Sequence, residues 1–190
     1  MYKTQTSTKA ILSPKLNILC NFSKDLHIYL KGGKGFHSND TRVVLAKSGE
    51  KFFPSAYGFD AGVLWKPFPR LLINTAYWYL FLEQEFVYVG DAGVVEPSGK
   101  TNRQGLDLCV RYQPLNWLFW NFDANYTHAR VIKEEPREDY IPLAPDFTIV
   151  NGLNMIYSSE IYGGVNARYI KERPASVDNS IIAVLFFRGK

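Results

Sequence analysis

The sequence predicts an all-β fold, an antiparallel up-and-down meander of about eight or nine strands. Three observations carry this. Apolar and polar residues alternate with period two in one segment after another. The connections between those segments alternate between short and long. No segment of useful length repeats with the helical period.

The strands follow in order. Lys15 to Asn21 and Asp25 to Gly35 read as the first two, joined by Phe22-Ser23-Lys24. In Tyr57 to Trp65 the odd positions Tyr57, Phe59, Ala61, Val63 and Trp65 are apolar or aromatic, while Gly58, Asp60, Gly62 and Leu64 lie between them. Successive strand side chains point to opposite faces, so such a segment has one aromatic face and one small, polar face. Arg70 to Tyr88 reads as a strand with less clean faces. Gly105 to Tyr112 alternates again, with Leu106, Leu108, Val110 and Tyr112 against Asp107, Cys109 and Arg111. Leu118 to Tyr126 sets Leu118, Trp120, Phe122, Ala124 and Tyr126 against Phe119, Asn121, Asp123 and Asn125. Phe147 to Tyr157 and Ile161 to Tyr169 follow, the latter with Arg168 on its polar side. Ile181 to Phe187, apolar on both faces, reads as a last strand.

Tight turns are expected at Lys66-Pro67-Phe68-Pro69, Gln113-Pro114-Leu115-Asn116 and Ser158-Ser159-Glu160. Long connections are expected at Phe36–Pro54, Gly90–Asn102, Val131–Pro145 and Lys171–Ser180. In a meander, alternate connections share a rim, so one rim carries tight turns and the other long polar loops. Compact soluble domains rarely need several such loops. Outer-membrane barrels have this asymmetry, with strands that are apolar outside and polar inside. Trp65, Trp117 and Trp120 fall near the tight-turn ends, where an interfacial aromatic girdle belongs.

Composition closes off other classes. The 190 residues carry 15% aromatics and 21% charged residues, which excludes a disordered chain. Two cysteines, Cys20 and Cys109, build neither a disulfide framework nor a four-thiolate zinc site. The longest apolar runs, Ala76 to Leu82 and Ile181 to Phe187, fall far short of the roughly 20 residues of a spanning helix. A net charge of +4, scattered along the chain, gives no reason to expect nucleic acid. The polar start, MYKTQTSTKA, lacks the apolar core of a secretory signal.

Several stretches taken together resemble the C-terminal part of the β-barrel of TonB-dependent outer-membrane receptors. They are Leu12-Ser13-Pro14-Lys15-Leu16 with Asp25-Leu26-His27-Ile28-Tyr29, the loop Gly33-Lys34-Gly35-Phe36-His37-Ser38-Asn39-Asp40, Tyr57-Gly58-Phe59-Asp60-Ala61-Gly62, Arg103-Gln104-Gly105-Leu106-Asp107-Leu108, and Ile141-Pro142-Leu143-Ala144-Pro145. Each is weak alone. In this order, spread over most of the chain, they are specific.

The resemblance implies a place in a large transmembrane β-barrel of 22 strands with a plugged lumen. Residues 1–190 then read as part of such a barrel, without the plug domain, without a TonB box and without the last strands. The chain is expected to be a fragment, with its signal peptide far upstream. The implied location is the cell outer membrane. The implied partners are outer-membrane lipid, the plug domain, the remaining barrel strands, the TonB complex acting through the plug, and a transported small ligand such as an iron–siderophore complex.

Candidate chemistry is sparse. Gly32-Gly33-Lys34-Gly35 lacks the spacing and the following helix of a phosphate loop. His37 and Asp40 offer two metal-ligand types where a site needs three or four, and a solvated loop is the plainer reading. Asp60, Asp107, Arg111, Asp123, Asn125 and Arg168 share the polar parity and form a mixed-charge inner surface. That surface either contacts a plug or passing ligand, or simply tolerates polar groups. His37, Asp40, Asp60, Asp107, Arg111, Asp123 and Arg168 are the candidate ligand contacts. No catalytic constellation and no cofactor motif is present, so no enzyme activity is expected. Two other readings stand beside the receptor: a complete eight-stranded outer-membrane barrel for adhesion or structure, and a soluble ligand-binding β-barrel or sandwich.

Overall fold

The computed structural model describes residues 10–36, 54–89, 94–132, 139–141, 144–157, 161–174 and 182–183. Its strands are β1 Lys15–Asn21, β2 Leu26–Phe36, β3 Ser55–Phe68, β4 Leu71–Val89, β5 Val94–Leu115, β6 Leu118–Val131, β7 Phe147–Ile156, β8 Tyr162–Ile170, β9 Arg173–Pro174 and β10 Ile182–Ala183. The first eight form one sheet in sequence order, each antiparallel to the next. This is the up-and-down meander that the alternation predicts. Strands β9 and β10 make a separate two-stranded sheet. Of the expected last strand Ile181 to Phe187, only Ile182 and Ala183 lie within the described residues.

The tight rim differs in detail from the sequence reading. Strand β3 runs on through Lys66, Pro67 and Phe68, and the turn is Pro69-Arg70. Strand β5 runs on through Gln113, Pro114 and Leu115, and the turn is Asn116-Trp117. Each proline sits inside a register shift, Pro67 between Trp65 and Phe68 and Pro114 between Tyr112 and Leu115. A bulge is where a strand tolerates a residue that cannot donate to the ladder. These prolines therefore mark bulges next to the turns. They are not turn residues.

The long rim holds the larger correction. Gly90–Asn102 reads as a loop, yet β5 begins at Val94 and pairs with β4 as far as Val89. Strands β4 and β5 reach 19 and 22 residues, against 14 for β3 and 14 for β6. Pairing with β3 ends at Leu82 and pairing with β6 at Thr101, so the hairpin continues past both flanking strands. The ladder shifts at Glu85, opposite Gly99, whose φ of 78° suits a residue without Cβ. The Glu-Pro-Ser-Gly run at 96–99 looks like a loop, but it crosses a bulge inside a hairpin arm.

Apolar burial is local. Ala129, Val131 and Ile141 form a small cluster, with Ala144 packed against it. After β6 the chain returns along the same strand. Tyr140 bridges Arg130, and Val131 N–H donates to Asp139 O at 2.8 Å. Arg130 holds the return by an ion pair with Asp139 (3.5 Å) and by stacking its guanidinium over the Tyr140 ring (4.3 Å).

Candidate functional site

The site is the polar face of the sheet, and register defines it. Residues directly opposite on antiparallel strands share a face. One unbroken row crosses all eight strands as Cys20, Ile28, Val63, Thr75, Leu108, Ala124, Ile149 and Tyr169. The adjacent row, one residue along, is Leu19, Tyr29, Gly62, Ala76, Asp107, Asn125, Thr148 and Ile170. The first face is apolar. It carries Tyr57, Phe59, Trp65, Tyr77, Leu106, Tyr126, Leu153 and Val165, all exposed to solvent, with Val165 at 67% and Leu106 at 54%. A contiguous apolar surface of this extent marks contact with lipid or another protein.

The band has a membrane's dimensions. Tyr57 to Trp65 covers about 26 Å along the strand at ~3.3 Å per residue. A tilt of about 40° brings that to roughly 20 Å, close to the ~25 Å band of outer-membrane barrels. Trp65 and Trp120 lie on the apolar face towards the tight rim. In the turn itself, Trp117 meets Tyr157 edge-on at 6.0 Å. Towards the long rim the same face turns polar, with Gln104 opposite His128 and Asn102 opposite Arg130.

The opposite face is built from hydrogen bonds. Asp107 accepts from Trp78 Nε1–H at 3.2 Å and from the Asn125 side-chain amide. Thr127 Oγ donates to Asn125 Oδ1 at 2.8 Å, extending the chain along β6. Arg111 pairs with Asp123 at 2.7 Å across the β5–β6 ladder. It also donates to the carbonyls of Val110 and Phe122. Tyr29 O–H donates to Asn74 Oδ1 at 3.3 Å. These bonds join β2 to β4, β4 to β5, and β5 to β6.

Two aromatic rings lie against glycines on this face. A Cβ on Gly62 would stand 2.3 Å from the Tyr29 ring, and one on Gly105 would stand 2.6 Å from Trp78. The absent side chains make room for each ring to reach sideways and place its polar atom on a neighbour.

Register also places the residues singled out from the sequence. Asp60 lies opposite Lys31 on one side and Trp78 on the other. Asp107 lies opposite Asn125. Asp123 and Arg168 share a row, with Val150 between them. Asp60, Asp107, Arg111, Asp123 and Arg168 thus occupy one face. His37 and Asp40 lie outside the described residues. Cys20 is on the apolar face and Cys109 on the polar one, and both are free. Sequence parity missed Trp78, Asn74 and Tyr29. Trp78 falls inside the apolar run Ala76 to Leu82, which hides which residues face inward.

No known protein family matches the chain, and no curated protein does. Solved structures do. The ferric citrate transporter FecA in its unliganded form aligns over 89% of this chain with a TM-score of 0.71 at 17% identity. The ferric yersiniabactin uptake receptor FyuA from Yersinia pestis aligns over 88% with a TM-score of 0.70 at 12% identity. BauA, the ferric preacinetobactin receptor from Acinetobacter baumannii, aligns over 94% with a TM-score of 0.69 at 9% identity. The sheet shares its fold with part of the barrel of these receptors. At these identities the likeness is one of fold. The chain spans 27% of FecA, 27% of FyuA and 28% of BauA. In a barrel wall of this kind the apolar face meets lipid and the polar face lines the lumen.

Proposed function

We propose that the chain is a stretch of the wall of an outer-membrane TonB-dependent receptor that takes up a scarce ligand such as an iron–siderophore complex. One observation carries the reading. An exposed apolar face runs unbroken across eight meander strands, backed by a hydrogen-bonded polar face. The superposition on three iron-uptake proteins supports the same reading.

In lipid every backbone polar group needs a partner, and a sheet achieves this by closing on itself. Among the described residues β1 and β8 do not pair with each other, as a complete eight-stranded barrel would require. The wall therefore works with further barrel strands along both edges. A soluble barrel would turn Tyr57, Leu106 and Tyr126 inward, whereas all three are exposed. The polar face, with Asp60, Asp107, Arg111, Asp123 and Arg168, would meet a plug domain and the passing ligand. His37 and Asp40, on the connection after β2, would meet the ligand on the outside. Energy would come from the TonB complex through the plug.

The test reads lipid contact from tryptophan. The chain is inserted into vesicles of brominated phosphatidylcholine as three variants, each keeping a single tryptophan: Trp65, Trp120 or Trp78. Bromine should quench Trp65 and Trp120 strongly and Trp78 weakly. Strong quenching of Trp78 with protected Trp65 and Trp120 would reverse the two faces and end the proposal.

A further inference from the structure

A cavity of about 350 Å³ lies on the polar face beside the tight rim, and the function above gives no role to its Lys66 and Arg70. Lys66, Arg70 and Arg111 line it, with Leu72, Phe119 and Gln113. No acidic residue is among its lining residues. Register fixes its floor, because Leu72 lies opposite Arg111 and Arg111 opposite Asn121. Arg111 is already paired with Asp123 at 2.7 Å. Lys66 and Arg70 are the positive charges left over. Arg70 is held in place, since its Nη2 donates to Asn116 Oδ1 at 2.5 Å and its carbonyl accepts the Gln113 N–H at 2.9 Å. The bulge at Pro67 carries Lys66 to the same rim.

We infer that this cavity binds a carboxylate carried by a polypeptide packed against the polar face. The inference rests on the wall reading, which puts this face inside a filled lumen. Two exposed cations at the mouth attract an anion, and Arg offers a fork that fits a carboxylate. The floor argues for a polypeptide over a small free acid. Leu72 is left 37% exposed, and apolar Phe119 lines the cavity with it. An apolar surface beside paired cations suits an acidic residue flanked by apolar neighbours. Gln113 stands beside it, its Nε2 donating to Asn116 O at 3.0 Å, which leaves Oε1 to accept a peptide N–H.

The test uses the full chain in detergent micelles with two fluorescein-labelled peptides. One is Leu-Asp-Glu-Phe-Gly, and the other is its amide twin Leu-Asn-Gln-Phe-Gly. Anisotropy should show that the acidic peptide binds and that the twin binds at least about tenfold more weakly. The double variant Lys66→Glu with Arg70→Glu should lose the preference, while Lys66→Arg should keep it. Both positions are at the exposed rim, and circular dichroism checks that each variant keeps its sheet. Equal binding of the two peptides would overturn the inference, as would a preference that survives the double charge reversal. Acetate competing as well as the acidic peptide, at equal concentration, would overturn the polypeptide part. A sheet that ignores the acidic peptide overturns the cavity alone. A chain without sheet signal in micelles overturns the wall reading and the cavity with it.

Discussion

The two faces of this sheet are made by the same strands and held together in different ways. On the apolar face, Val63, Thr75, Leu108 and Ala124 meet by shape and area, and directed bonds lie towards its polar edges and rims, from Tyr77 O–H to Gln104 Oε1 and from Trp120 Nε1–H to Asn151 Oδ1. On the polar face, Trp78, Asp107, Asn125 and Thr127 are tied by directed hydrogen bonds. A slip of one residue would exchange the faces completely. The directed bonds resist it, because Asp107 meets Trp78 and Asn125 in one register only. The contrast separates two jobs. The apolar face sets which surroundings suit the sheet, and the polar face helps set which strand pairs with which.

The largest expected break comes from charge on the apolar face. Phe122→Arg, in the middle of the band, should destabilise the lipid-inserted sheet by about 2–4 kcal/mol. Asn121→Arg, one residue away on the polar face, should cost far less. Urea unfolding of both variants in vesicles checks this, and equal costs would erase the distinction between the faces. Packing on the polar face gives the next effect. Gly105→Val would drive a side chain into Trp78 and into the Tyr126 carbonyl, 2.3 Å from the added Cβ. It should cost about 1–3 kcal/mol. Gly58→Ala has open space above it and should shift stability by under about 1 kcal/mol. Comparable losses at both glycines, read by the same unfolding, would mean that the rings are not packed as described. The smallest effect is ionic. A double-mutant cycle on Arg111→Ala and Asp123→Ala should give a coupling of about 0.2–1 kcal/mol, because both side chains remain partly solvated at 43% and 38% exposure.

The same contrast explains what could be read from the sequence. Parity alone put Asp60, Asp107, Arg111, Asp123 and Arg168 on one face, since all sit at alternate positions opposed to apolar neighbours. Parity cannot find partners. Trp78 and Asp107 are joined only because β4 and β5 pair with Ala76 opposite Asp107, which is a fact about register. Trp78 also hid itself, because an indole over Gly105 faces the polar side while remaining apolar in composition. At the hairpin the local chemistry pointed the wrong way. Pro97 and Gly99 look like loop residues, and the ladder accommodates them by shifting register. The prolines at 67 and 114 misplaced two turns for the same reason.

The separation of Cys20 and Cys109 gives the sheet a built-in polarity marker. Cys20 is exposed on the apolar face, while Cys109 lies on the polar face, beside Asp123 in the ladder. A reagent confined to water reaches only a thiol on a face that water reaches. In an inserted wall, a water-soluble maleimide should therefore find Cys109 and pass over Cys20. A greasy quencher dissolved in the bilayer should find a label on Cys20 alone. Without any engineered residue, the chain can report which of its sides is inside.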